Sequence, residues 1–185
     1  MKISSEPFQV ILEEINLQSG NQVNPEAMKN TARRMSKAFS EWLSGYKTDP
    51  KSLMKTTFKS ISSEMVLIRD ISFNSLCEHH AAAIYGVVSV GYIPKDKILG
   101  LSKIIRLVDC FSRRLQLQER LTCNIADALM DGIDPLGVGV VTSATHMCVG
   151  SRGVNRPGSL TVVSSMRGLF NDNPETRAEF LGLIK

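Results

Sequence analysis

Apolar residues recur at helical spacing from the start of the chain. Phe8, Ile11, Leu12 and Ile15 fall on one face before Ser19-Gly20-Asn21 interrupts the pattern. A second helix opens at Asn24-Pro25-Glu26, where Asn24 suits the cap, Pro25 the first helical position and Glu26 the positive end of the dipole. Met28, Met35, Phe39 and Trp42 mark its apolar face, and Gly45 supplies a stop. Thr48 to Lys59 reads as a loop.

The period then changes. Residues 64–74 alternate, with Met65, Leu67, Ile71 and Phe73 on one side, and residues 84–93 are rich in Ile, Val, Tyr and Gly; both read as strands. Helical spacing returns in Leu101–Phe111 through Ile104, Ile105 and Val108. It returns again in Gln116–Met130 through Leu117, Leu121, Ile125 and Leu129. Two further strands are expected near Val138–Val149 and Ser159–Met166, joined by a turn at Asn155-Arg156-Pro157-Gly158. Asn173-Pro174-Glu175 opens a short terminal helix.

This order predicts an α+β fold: ββααββ, an antiparallel four-stranded sheet with helices on one face, preceded by N-terminal helices. The division expected is a helical region over 1–59 and a catalytic body over 60–185. Four strands leave two open edges, which a neighbouring copy of the chain would cover, so a homo-oligomer is expected.

Composition narrows the function. Hydrophobic residues make up 43% and charged residues 22% of 185, as in an ordinary globular chain. The net charge of +4 comes from basic residues scattered among acidic ones, which suits a small anionic ligand and not nucleic acid. Arg33, Arg113 and Arg114 read as solvated helix faces. No stretch has the length of a membrane span, and Met1–Glu6 lacks the apolar core of a signal peptide, so a cytoplasmic protein with no membrane partner is expected. Four cysteines in such a compartment point to metal binding or catalysis ahead of disulfides.

All three histidines lie in two short segments that also hold two of the four cysteines: Cys77-Glu78-His79-His80 and His146-Met147-Cys148. Thiolate and imidazole are zinc ligands. Cys77 and His80 can face one ion from a single tight turn, and Cys148 can supply a third ligand if the two hairpins are neighbours. Three ligands leave a fourth position for water, the pattern of a catalytic zinc site. His79 and His146 then remain free to carry protons near neutral pH. Cys110 and Cys123, each on an expected helix, read as small hydrophobes.

These segments, with Gly100-Leu101-Ser102-Lys103-Ile104-Ile105-Arg106, Gln116-Leu117-Gln118-Glu119-Arg120-Leu121-Thr122 and Arg152-Gly153, resemble the GTP cyclohydrolase I family, in order, over roughly residues 25–185. The resemblance implies the tunnelling fold, in which subunits join their sheets into a barrel. It also implies two stacked pentamers (a decamer) with sites between subunits. By the same resemblance Cys77, His80 and Cys148 bind Zn2+, and His79 and His146 form the acid/base pair. Glu119, with Gln118 beside it, holds guanine; Ser102 contacts the ribose. Lys103, Arg106, Arg152 and Arg34 bind the triphosphate. The implied reaction is hydrolytic opening of the imidazole ring of GTP, with release of formate and formation of 7,8-dihydroneopterin triphosphate.

The chain departs from the family pattern at three places. Gly150 stands where many members carry a cation, Ala32 and Leu115 where proline is usual. Two rival readings make different demands on the residues. A related tunnelling-fold nitrile reductase would need a nucleophilic cysteine without the second segment, His146-Met147-Cys148. A zinc-stabilised, inactive nucleotide-binding subunit would need none of His79, His146 and Glu119. For Ser102 the plain alternative is a helix N-cap, and for Glu119 an ion pair with Arg120.

Overall fold

Asn24 accepts a hydrogen bond from the Glu26 N–H, and Asn173 from the Glu175 and Thr176 N–H groups, so both expected caps form. In the computed structural model, which describes residues 1–185, the chain opens with helices α1 (Glu6–Gln18) and α2 (Pro25–Trp42), packed together. A 3-10 turn (Ser44–Lys47), short helix α3 (Pro50–Leu53) and strand β1 (Thr57–Lys59) follow. Strands β2 (Val66–Cys77), β3 (Ala83–Ile93) and β4 (Lys97–Leu99) lead to α4 (Leu101–Ser112). Strand β5 (Leu115–Gln116), α5 (Gln118–Ile133), β6 (Gly137–His146) and the single turn α6 (Met147–Gly150) come next. Strand β7 (Thr161–Gly168), α7 (Leu169–Asp172) and α8 (Pro174–Leu183) complete the chain.

The fold is α+β. Its main sheet runs β5-β2-β3-β6-β7, the four long strands antiparallel and the two-residue β5 parallel to the end of β2. The expected four strands are therefore present with one small addition. The expected loop over Thr48–Lys59 instead contains α3 and β1, and β1 pairs with β4 in a separate two-stranded sheet. That pairing stitches the N-terminal stretch to the body through partners some forty residues away, which local pattern does not show.

Helices α4 and α5 pack on one face of the sheet. Ile104, Leu107, Val108, Leu121, Ile125 and Leu129 meet Val88, Val90, Val138 and Val140 in a single buried cluster. The opposite face is not bare: Phe170 and Phe180, from α7 and α8, are fully buried with Ile93 and Met166 beneath them. Helices on one face only is thus corrected. Gly91 and Gly139 pair across β3 and β6, and their missing side chains leave room for the two rings.

The phase of β2 is a second correction. Met65 and Leu67 pack with Phe170 and Phe180, whereas Ile71 and Phe73 face α4 and α5. A bulge between Ile68 and Ile71, with Asp70 at φ 59°, inserts a residue and flips the alternation. Both edges of the sheet are open along most of their length, since β5 covers only Leu76 and Cys77 of β2 and nothing pairs with the outer side of β7. No helix is long and apolar enough to cross a membrane.

Candidate metal and active site

Strand β2 ends at Cys77, and a tight turn returns the chain to β3. The Cys77 N–H donates to the Ala82 carbonyl at 2.7 Å, and the Ala81 N–H donates back to the Cys77 carbonyl at 2.8 Å. Ala81, at φ 50°, absorbs the reversal. This turn presents Cys77, His79 and His80 with their ligand atoms all within 4.8 Å of one another. Cys77 Sγ lies 3.7 Å from His80 Nδ1.

The second hairpin converges on the same place. His146 is the last residue of β6 and pairs with Ile84 of β3; the one-turn α6 then lifts Cys148 back over the sheet end. Cys148 packs against the main core, close enough to Cys77 for the two thiols to influence each other's ionisation. Burial pushes the Cys148 thiol up, and the adjacent Cys77 sulfur pushes it further. The mutually close trio is thus Cys77, His79 and His80, with Cys148 of the second hairpin near Cys77 but outside the trio.

The donor set fits a divalent cation. Two thiols and an imidazole in one corner disfavour a pair of thiolates, and a cation between them replaces that repulsion with attraction. His146 Nδ1 is buried without a hydrogen-bond partner, at the end of β6 that pairs with Ile84 near the start of β3.

The base-reading candidates divide. Glu119 is exposed at the start of α5, but Gln118 is turned inward and only 1% exposed. Its amide nitrogen donates to the Thr142 carbonyl, to Thr142 Oγ1 at 2.9 Å and to the Thr161 carbonyl at 2.9 Å. Thr122 Oγ1 donates to the Gln118 carbonyl at 2.7 Å, so it must accept from Thr142 Oγ1, 2.9 Å away. The result is a closed ring of hydrogen bonds that pins the first turn of α5 to β6. Gln118 is three residues before Leu121, so the apolar stripe of α5 already carried the signal for its burial.

The phosphate-binding candidates are dispersed. Arg152 is exposed in the loop after α6, and Arg34 is on α2, paired with Glu26 at 2.9 Å. Ser102 and Lys103 occupy the first turn of α4; Gly100, not Ser102, is the cap. That turn follows β4, at the far end of the sheet, whereas the end of α4 returns to Cys77. Since α4 is 12 residues, about 18 Å, one chain does not bring Ser102, Lys103 and Arg106 beside the Cys/His group.

Three charged residues have partners other than those expected from the sequence. Arg120 binds not Glu119 but Glu78, through both terminal guanidinium nitrogens, one at 3.2 Å. That guanidinium holds the Glu78 carboxyl below its ordinary range. Arg114 is not a solvated cation: it reaches the Gly45 and Cys110 carbonyls and lies over the Phe111 ring at 5.0 Å. Cys110 is buried as expected, its thiol pushed up by burial, whereas Cys123 is half-buried, 3.7 Å from Ser165 Oγ.

The largest groove, about 750 Å³, lies elsewhere, between Met54 of the α3 region and Asp127 of α5. The chemistry sits at the sheet end. Fold and site together define an α+β protein with a Cys/His group able to hold a metal ion at the turn between β2 and β3.

Comparison with known proteins narrows this class. The family model for GTP cyclohydrolase I matches residues 6–185. A GTP cyclohydrolase 1 from Leptospira biflexa is 49% identical over 176 residues, covering 95% of this chain and 96% of that protein. One from Synechococcus sp. is 49% identical over 183 residues, covering 98% and 80%. One from Campylobacter jejuni is 49% identical over 166 residues, covering 89% and 87%. Among solved structures, the apo archaeosine synthase QueF-Like aligns with TM-score 0.49 and 21% identity, over 58% of this chain and 96% of that one. The chain belongs to the GTP cyclohydrolase I family.

Proposed function

We propose that this chain hydrolyses GTP to formate and 7,8-dihydroneopterin triphosphate, the first step of pterin and folate biosynthesis. The observation that carries this reading is the cluster of Cys77, His79 and His80 on one hairpin with Cys148 of the other beside Cys77. Family membership supplies the substrate.

Cys77, His80 and Cys148 would hold zinc. When bound, zinc supplies a Lewis acid that makes water nucleophilic near neutral pH. The chain's residues do the rest. His79, exposed beside the ligand turn, donates a proton to N7 as water adds at C8. The C8–N bonds then break, and C8 leaves as formate. His146 and Ser102 move protons at the sugar. The Glu119 carboxylate accepts from guanine N1–H and the 2-amino group, a match of acceptor oxygens to adjacent donors. Gln118 braces Glu119 from inside the fold. Lys103, Arg106, Arg152 and Arg34 hold the triphosphate.

The distance between the first turn of α4 and the Cys/His group supports a site completed by a neighbouring copy. The open edges of β2 and β7 support sheets joined into a tunnelling-fold barrel, with pentamers paired as a decamer. The test is incubation of the purified, zinc-loaded protein with GTP. Formate and a fluorescent pterin after oxidation are the expected result; unchanged GTP would refute the reading.

A further inference from the structure

Glu78, between Cys77 and His79, is joined to Arg120, 42 residues further along and one beyond Glu119. Main-chain contacts already tie the turn to β5: the Glu78 N–H donates to the Gln116 carbonyl at 3.1 Å, and Cys77 pairs with Gln116. These contacts stop at Gln116. The ion pair alone extends the connection into the first turn of α5, where Glu119 sits. The other side of that turn is fixed by the Gln118–Thr142–Thr122 ring. The Glu78 carboxylate also faces His79 Nε2 at 3.9 Å, so the hold of Arg120 on both oxygens decides where that carboxylate stands relative to the imidazole.

We propose that Arg120 is a positioning residue: its two-pronged grip on Glu78 sets the distance between His79, which moves the proton, and Glu119, which reads the base. This rests on the roles given above to His79 and Glu119. Arg120 itself hydrogen-bonds to Glu78 and to none of Cys77, His80 and Cys148. A planar guanidinium suits the task because its fork fixes orientation as well as distance, which a lysine ammonium does not.

The test uses the full-length, metal-loaded protein. Arg120→Ala is expected to retain its metal and to melt within about 3 °C of the wild type, because half-exposed ion pairs add little to stability. Its kcat should fall about 10- to 100-fold, the scale of a misplaced reacting group, with KM for GTP moving less. Arg120→Lys should recover part of that loss. Amide exchange at Glu78 and His80 should quicken in Arg120→Ala and be largely restored in Arg120→Lys. Turnover of Arg120→Ala within twofold of wild type, a loss that only tracks lost metal, or unchanged exchange would each overturn the proposal. The exchange readout does not depend on turnover, so a wild-type protein that releases no formate counts against the functional reading, while exchange still judges the brace.

Discussion

His146 stands directly across from Ile84 in the β3–β6 ladder, one residue along from the point where Ala83 pairs with Leu76 of β2. That register carries its imidazole to the sheet end where the Cys77 turn closes. Its Nδ1 is buried and has no partner, so the ring is not spent on holding the fold. His146→Ala is expected to keep its metal and to lose about 10²- to 10⁴-fold in kcat, the range of a positioned acid/base group. Formate release alongside metal analysis checks this; ordinary turnover would remove His146 from the mechanism.

Gly139 lies beneath two immobile rings. A Cβ there would stand 2.5 Å from Phe170 Cδ1 and 3.0 Å from Phe180 Cδ1, and both rings are fully buried and packed edge to face at 5.3 Å. Neither can swing aside. Gly139→Ala is expected to cost about 1–3 kcal/mol in urea unfolding, the penalty of overpacking. Zinc content should not change, because Gly139 lies near the other end of β6 from His146.

Tyr92 links stability to pH. It is fully buried, its oxygen accepts from the Leu99 N–H at 3.1 Å, and burial raises its pKa above the ordinary tyrosine value of 10.0. A raised folded-state pKa stabilises the fold fully below the unfolded value, and that contribution is lost as pH rises through the folded one. Wild-type unfolding free energy should therefore decline above about pH 10. Tyr92→Phe should be less stable at neutral pH by about 1–3 kcal/mol, since it leaves the Leu99 N–H unpaired, but should decline less steeply between pH 9.5 and 11. Parallel slopes for the two proteins would show that Tyr92 does not titrate in this way.

The main elements were legible because their periods are strong and their caps local, as at Asn24 and Asn173. The inner face of β2 was not, because Asp70 adopts a left-handed conformation that flips the alternation, and no residue pattern announces a bulge at an aspartate. The Cys/His residues were legible from their chemistry alone. Their braces were not: Arg120 reaches Glu78 and Arg114 reaches Gly45 across long sequence separations, and a surface arginine looks the same whether paired or solvated. The burial of Gln118 was readable from its place on the stripe of Leu121 and Ile125, but its polar side chain masked the signal.

In the proposed chemistry, thiols from two hairpins share one metal ion on which turnover depends. Zinc stoichiometry and formate release, measured together on the wild type and on Cys148→Ser, test it most directly. About one zinc per chain with formate release is expected from the wild type, following three-ligand coordination, and loss of most zinc together with turnover from the variant. A Cys148→Ser protein that keeps its zinc and still releases formate at the wild-type rate would contradict it.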